Sequence, residues 1–170
     1  MSNKAEQAIE IAEKITDLYE TNRLMAYEPY EYQKRFHDAK DMGGRLARQR
    51  LLMAANKTGK TFCGATELAL HLTGRYPQWW TGAKFSRPIT AWAAGNTTAN
   101  TRDIVQAELL GEPGDEEEFG KGAIPKQYIS GTPLRMPGVP NAYQSLNVKH
   151  ISGRNSKLIF KSYEQGKMQW

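Results

Sequence analysis

The sequence predicts an α/β domain in which helices cover a parallel sheet. Two apolar runs of strand length, residues 50–55 and 89–94, are each followed by a segment whose apolar residues recur with helical spacing. The first run leads into its helix through a loop that ends in Gly-Lys-Thr. Strands that alternate with helices in this order are typical of parallel sheets, because each helix returns the chain to the starting end of the sheet.

An N-terminal helix is predicted over residues 3–26. Its apolar stripe consists of residues spaced three or four apart, namely Ala5, Ala8, Ala12, Ile15 and Tyr19. Two interpretations fit the stripe: it packs on the rest of this chain, or it docks on another protein. We therefore separate an amphipathic helical unit, residues 1–26, from a domain over residues 27–170.

Further helices are predicted on both sides of the loop. Pro29 ends the N-terminal pattern, and the spacing after it predicts a helix from about Tyr30 to Asp41. The segment TFCGATELALHLTG follows the loop with apolar residues at helical spacing, and Gly74 stands where a helix usually ends. Another helix is predicted near residues 101–110, after the second apolar run.

The C-terminal part of the chain divides into a loop and a hairpin. Residues 111–141 hold much of the glycine and proline of the chain, so we predict an extended connection with little regular structure there. Two strand-like segments, SLNVKHIS and SKLIFKSYE, flank Gly153-Arg154-Asn155 and predict a β-hairpin.

The composition excludes several classes of protein. A chain of 170 residues with 24% charged residues is long enough for one folded domain. No apolar run reaches the length that crosses a bilayer. A single cysteine, Cys63, excludes a disulfide framework and fits a reducing compartment.

The net charge is +5, with a basic excess in residues 31–60 and 131–170. Either these blocks attract a polyanion, or they form solvated surface.

The stretch MAANKTGKT fits the phosphate-binding pattern G-x-x-x-x-G-K-[ST] except at its first position, where Ala54 replaces glycine. This replacement is tolerable if the φ angle of Ala54 is negative. Gly59 lets the backbone approach phosphates, Lys60 reaches the β- and γ-phosphates, and the Thr61 hydroxyl holds Mg²⁺. The alternative is a Gly-Lys-Thr that opens a helix without a ligand. The predicted site for ATP and Mg²⁺ is one continuous segment: Ala54, Ala55, Asn56, Lys57, Thr58, Gly59, Lys60 and Thr61.

No catalytic residue is predicted in this chain. Hydrolysis by a P-loop ATPase requires a carboxylate at the end of an apolar strand, and no acid after Thr61 follows four consecutive apolar residues. Glu164 comes closest, in KLIFKSYE, but Lys161 and Ser162 interrupt the run. The three histidines show no metal-ligand spacing, and Cys63 is expected to pack as a small apolar side chain.

Four segments resemble the N-terminal part of the large terminase subunit of tailed bacteriophages, the motor that pumps DNA into capsids. They are YEPYEYQKRFHDA, LLMAANKTGKT, ITAWAAGNTTANTRDIVQ and SLNVKHISGRNSKLIFKSYEQGKMQW, and the resemblance spans roughly residues 27–170. The second of them resembles the deviant Walker A loop of that family. The resemblance implies a partial P-loop NTPase of the additional-strand, catalytic-glutamate type, truncated before the Walker B strand.

The resemblance also implies roles and partners. It implies that Gln33 contacts adenine, that Lys57 is an extra basic residue near the phosphates, and that ATP binds with Mg²⁺. For the complete protein it implies double-stranded DNA, the terminase small subunit and the portal as partners, no membrane association, and a location in the cytoplasm of the bacterial host. An Asp-Glu strand and a nuclease domain are expected to follow in such a protein.

The sequence leaves two other functions open. A glutamine ahead of Walker A also occurs in other nucleic-acid-dependent P-loop ATPases, such as helicases. An interrupted reading frame would instead give an inactive protein that acts at most as a docking module through its N-terminal helix.

Overall fold

A four-stranded mixed sheet forms the centre of the computed structural model, which describes residues 2–165. Its strands are β1 (Thr90–Gly95), β2 (Ile129–Arg135), β3 (Tyr143–Lys149) and β4 (Asn155–Ser162). The spatial order is β1-β4-β3-β2, in which β1 and β4 are parallel and the other neighbours are antiparallel. The α/β class is therefore confirmed, whereas parallel pairing holds for one pair of strands.

Four helices accompany the sheet in the described part of the chain. They are α1 (Ser2–Thr21), α2 (Glu31–His37), α3 (Lys60–Thr73) and α4 (98–110), whose middle part, Thr101–Gln106, is π-helical. Of these, α3 and α4 pack against the sheet. Short 3₁₀ turns, Lys126–Tyr128 and Tyr163–Gln165, lie before β2 and after β4. Among the described residues, every helix is too short or too polar to cross a membrane.

The core lies between α3 and the sheet. Leu70 and Leu72 of α3 are fully buried in one cluster with Leu158 and Phe160 of β4. The predicted hairpin is confirmed, because β3 and β4 pair antiparallel and Leu146 of β3 stands opposite Leu158. Burial of the large aliphatic and aromatic side chains on this face is the main source of stability for the sheet.

α3 ends where the sequence predicts. Gly74 has a φ of 68°, in the left-handed region, and its N–H donates to the carbonyl of Leu70 at 2.8 Å. A Cβ at this position would lie 2.3 Å from Nε2 of His150. Glycine is therefore required both by the backbone conformation and by the packing of the histidine.

Residues 50–55 do not form the predicted strand, and they do not pair with residues 89–94. Leu51 and Met53 are 81% and 82% exposed. A strand needs a neighbouring strand to share backbone hydrogen bonds with, as well as apolar residues. In the described part of the chain, β1 pairs with β4 alone. The P-loop arrangement of the sheet is therefore not confirmed.

The connection at residues 111–141 contains more regular structure than its composition predicts. β2 lies within it and pairs with β3. Gly131 and Pro133 fall in this strand, where the β2–β3 register shifts between Ser130 and Leu134. Irregular positions of an edge strand tolerate glycine and proline, so these residues did not signal a loop here.

α1 ends at Thr21 rather than near residue 26. The described side chains of residues 4–16 are all exposed, including Ile9 and Ile15. Over that stretch the stripe therefore does not pack on the rest of the chain, and docking on another protein stays a prediction. The side chain of Tyr19 lies outside the described ones, as do residues 166–170.

Candidate functional site

The loop before α3 places Lys60 at the first helical position. Gly59 precedes it with a φ of 80°, and a Cβ on this residue would lie 3.3 Å from Nε2 of Gln33. Lys57 also has a positive φ, of 62°. Ala54 is not among the described residues with positive φ, so the condition under which alanine replaces glycine there is met.

The first turn of α3 offers unused hydrogen-bond donors. The first backbone bond of the helix joins the N–H of Cys63 to the carbonyl of Gly59 at 2.9 Å. Within residues 2–165, the N–H groups of Lys60, Thr61 and Phe62 have no protein acceptor. Such groups attract an anion, because the N-terminus of a helix also carries the positive end of its dipole.

The Lys60 side chain folds back over its own loop. Its Nζ donates to the carbonyl of Ala54 at 2.8 Å and to that of Ala55 at 2.5 Å. The hydroxyl of Thr58 donates to the same Ala55 carbonyl at 2.9 Å. The ammonium group is thus held by neutral oxygens, which are weaker acceptors than the charged oxygens of a phosphate.

α2 holds the loop from the other side. The hydroxyl of Tyr32 donates to the carbonyl of Thr58, and Nε2 of Gln33 donates to the carbonyl of Gly59 at 3.3 Å. Oε1 of Gln33 accepts from the N–H of Tyr30 at 2.9 Å, and the residue is 2% exposed. Gln33 therefore supports the loop in this structure, and its contact with adenine stays a prediction that requires the amide to change partners.

The remaining predicted loop residues are exposed: Ala54, Ala55, Asn56 and Lys57. Thr61 is also exposed, and its hydroxyl has no partner among the described residues. It lines a cavity of about 230 Å³ between α3, β1 and α4, together with Lys60, Gly64 and Ala94. The structure thus places the predicted segment at the start of α3, where Thr58, Gly59 and Lys60 are partly buried and the other five residues are exposed.

A buried polar cluster that the sequence did not predict lies between α2 and α3. Nη2 of Arg50 contacts Oε1 of Glu67, and Nδ1 of His37 lies 2.7 Å from Oε2 of the same carboxylate. Nε2 of His71 lies 3.2 Å from Oε1. A signal was present in the sequence: Glu67 and His71 are four apart on an otherwise apolar helix, where a buried acid requires partners. Among the described residues, no group of three or more potential ligands is arranged to hold a metal ion.

The cluster sets the ionisation of two of its members. Burial acts to raise the pKa of Glu67, but hydrogen bonds from His37, His71 and Arg50 outweigh burial and hold that pKa well below its usual range. Burial raises the pKa of Cys63 to about 11. Cys63 is fully buried, as its predicted role in packing requires, and its thiol is protonated at neutral pH.

Glu164 stabilises a helix end. Its Oε1 accepts from the N–H of Thr98, at the start of α4, at 2.5 Å. Hydrogen bonds from Thr98 lower the pKa of the Glu164 carboxyl. The contact gives this carboxylate a capping role, and the expectation that the chain contains no catalytic acid stays a prediction.

Two comparisons match the chain to known proteins. A family model for the N-terminal part of the terminase large subunit, T4likevirus type, matches residues 51–170. The large terminase subunit of Salmonella phage P22 is 33% identical over an alignment that covers 96% of this chain and 35% of that protein. The chain therefore spans about a third of the length of this relative. No solved structure matches the chain.

Proposed function

Because the chain belongs to the terminase large subunit family, we propose that it is the ATP-binding N-terminal part of a motor that packages viral DNA. The observation that supports ATP binding best is the first turn of α3, which begins at Lys60 and whose N–H groups have no protein acceptor within residues 2–165. A triphosphate suits this site because its charged oxygens accept several N–H bonds at once. Family membership also favours a packaging motor over a helicase.

Binding exchanges the partners of Lys60. The ammonium group leaves the carbonyls of Ala54 and Ala55 for phosphate oxygens, which accept stronger, charge-assisted hydrogen bonds. The N–H groups of Lys60 and Thr61 have no protein acceptor to give up within the described chain. The site is therefore prepared for phosphate without loss of a backbone hydrogen bond.

We assign Mg²⁺ to the hydroxyl of Thr61. Its exposed hydroxyl follows Lys60 directly and has no partner among the described residues. Hydroxyl oxygens join phosphate oxygens and water in magnesium shells. Bound there, Mg²⁺ would neutralise charge on the phosphates.

Lys60 takes part in no ion pair among residues 2–165, so no carboxylate of the described chain neutralises its charge. The residues assigned here therefore bind and orient the nucleotide.

Family membership supports a proposal for the partners of the complete protein. We assign it double-stranded DNA as substrate, the terminase small subunit and the portal as protein partners, and the host cytoplasm as location. The basic excess of residues 31–60 and 131–170 suits a DNA backbone. Gln33 is assigned to the adenine ring.

Binding of a fluorescent ATP analogue with Mg²⁺ tests the proposal. Lys60→Ala should weaken binding by at least about tenfold, because it removes charge-assisted hydrogen bonds to phosphate. Lys121→Ala is the matched control: it removes the same charge from a lysine that contacts Glu118 on the surface. Equal binding by the wild-type chain and Lys60→Ala would reject the site.

A further inference from the structure

Arg50 turns away from the loop that it precedes and enters the interior. Its Nη1 donates to the carbonyls of Phe36 and His37, in the last turn of α2, at 3.1 and 3.2 Å. Nη1 also lies 3.3 Å from Oε2 of Glu67, and Nη2 contacts Oε1. The guanidinium group thus joins the end of α2 to α3 with both arms of its fork.

Glu67 is the centre of this arrangement. Its side chain is 7% exposed, and the imidazoles of His37 and His71 contact it besides Arg50. The hydroxyl of Tyr27 lies 3.0 Å from Nε2 of His37 and completes the set. A carboxylate removed from water in this way is stable only while its partners remain in place.

The N-terminal half of α2 contacts the loop before α3. Tyr32 and Gln33 of α2 bond the carbonyls of Thr58 and Gly59. In a trans peptide, the carbonyl oxygen and the following N–H point in opposite directions. When α2 draws the carbonyls of Thr58 and Gly59 toward itself, the N–H groups of Gly59 and Lys60 point away from α2.

We propose that Arg50 and Glu67 are positioning residues that set the orientation of the loop N–H groups. Arg50 and Glu67 fix where α2 stands against α3, and α2 in turn fixes the two loop carbonyls. Neither side chain needs to contact the ligand for this effect. The inference rests on the proposed function for the identity of the ligand as a nucleotide phosphate.

The competing explanation is that the ion pair only stabilises the fold. Hydrogen–deuterium exchange without nucleotide distinguishes the two explanations. In Arg50→Met, the positioning role predicts faster exchange in residues 56–62 and in α2, with exchange in β3 and β4 unchanged. Arg45→Met is the matched control, because the Arg45 guanidinium contacts Asp41 on the surface and its loss should leave the loop unchanged.

A paired replacement sharpens the test. Arg50→Met with Glu67→Leu removes both charges, and apolar replacements of a buried ion pair commonly keep or raise stability. A positioning role predicts that the double variant recovers thermal stability, while its loop still exchanges fast and its affinity for the ATP analogue stays about tenfold below wild type. Glu67→Gln, which keeps the side-chain shape, gives a second single variant if Arg50→Met does not fold.

Two results would overturn the positioning role of Arg50 and Glu67. Loop exchange at the wild-type rate in Arg50→Met or Glu67→Gln overturns the proposal, as does recovery of loop protection and affinity in the double variant. Arg50→Lys should restore part of the protection, because a lysine reaches the carboxylate without the second arm. If the wild-type chain binds no nucleotide, the proposed function fails, while the exchange pattern still decides whether Arg50 positions the loop.

Discussion

The ammonium group of Lys60 lies 2.8 Å from the carbonyl oxygen of Ala54, the residue that replaces the first glycine of the phosphate-binding pattern. The contact uses the backbone of residue 54, so it does not depend on whether that residue has a side chain. Ala54 also lacks the positive φ that would demand glycine. The departure from the pattern is therefore compatible with the geometry of the loop.

Ala54→Gly should leave binding of the ATP analogue nearly unchanged. It should lower the free energy of unfolding by about 0.5–1 kcal/mol, because glycine gives the unfolded chain more conformational freedom. Titration of the analogue and thermal denaturation of the same preparation measure the two effects. A gain in affinity of about tenfold would mean that the alanine methyl obstructs the site.

Gln33→Ala should reduce the preference for adenine over guanine nucleotides more than it reduces affinity for the triphosphate. The proposed site assigns the base to the Gln33 amide, and the phosphates to Lys60 and the first turn of α3. Competition between ATP and GTP for the fluorescent analogue gives the ratio of affinities. If both nucleotides weaken equally, Gln33 acts only through its bond to the Gly59 carbonyl.

Gly74→Ala should destabilise the protein by more than about 1 kcal/mol, because alanine is strained at a positive φ and its methyl would overlap His150. Gly64→Ala is the matched control on the same helix. A Cβ at Gly64 meets nothing within 4 Å, so that replacement should stabilise α3 by up to about 1 kcal/mol. Thermal denaturation of both variants measures this difference in stability. Equal changes in stability would contradict a requirement for glycine at the end of α3.

The elements that could be predicted from the sequence are those that local patterns specify. The loop, α3 with its stop at Gly74, and the β3–β4 hairpin each depend on residues close together in the chain. The strand at residues 50–55 was predicted wrongly because a strand also needs a neighbour, and apolar composition does not specify one. The contacts of Glu67 with Arg50 and His37 join residues 17 and 30 positions apart, so local periodicity could not reveal them.

Glu67 also makes the stability of the fold depend on pH. Its folded-state pKa is lowered by His37, His71 and Arg50, so the unfolded chain binds a proton at a higher pH than the folded one. The carboxylate therefore stabilises the fold fully above its unfolded pKa of about 4.3, and this contribution declines as pH falls toward the folded-state value.

Glu67→Gln tests this dependence, because glutamine keeps the shape of the side chain and cannot ionise. At pH 7 the variant should be less stable than wild type by roughly 1–3 kcal/mol, since charge-assisted hydrogen bonds become neutral ones. The difference should shrink as pH falls from about 5 toward 3, because the wild-type carboxylate loses its advantage there. Denaturant unfolding of both proteins at each pH gives this difference in the free energy of unfolding. Subtracting one from the other removes the contribution of the other carboxyl groups.

Glu10→Gln is the control, since Glu10 pairs with Lys14 on the exposed face of α1. A difference between Glu67→Gln and wild type that stays constant with pH would contradict a charged Glu67 in the folded protein.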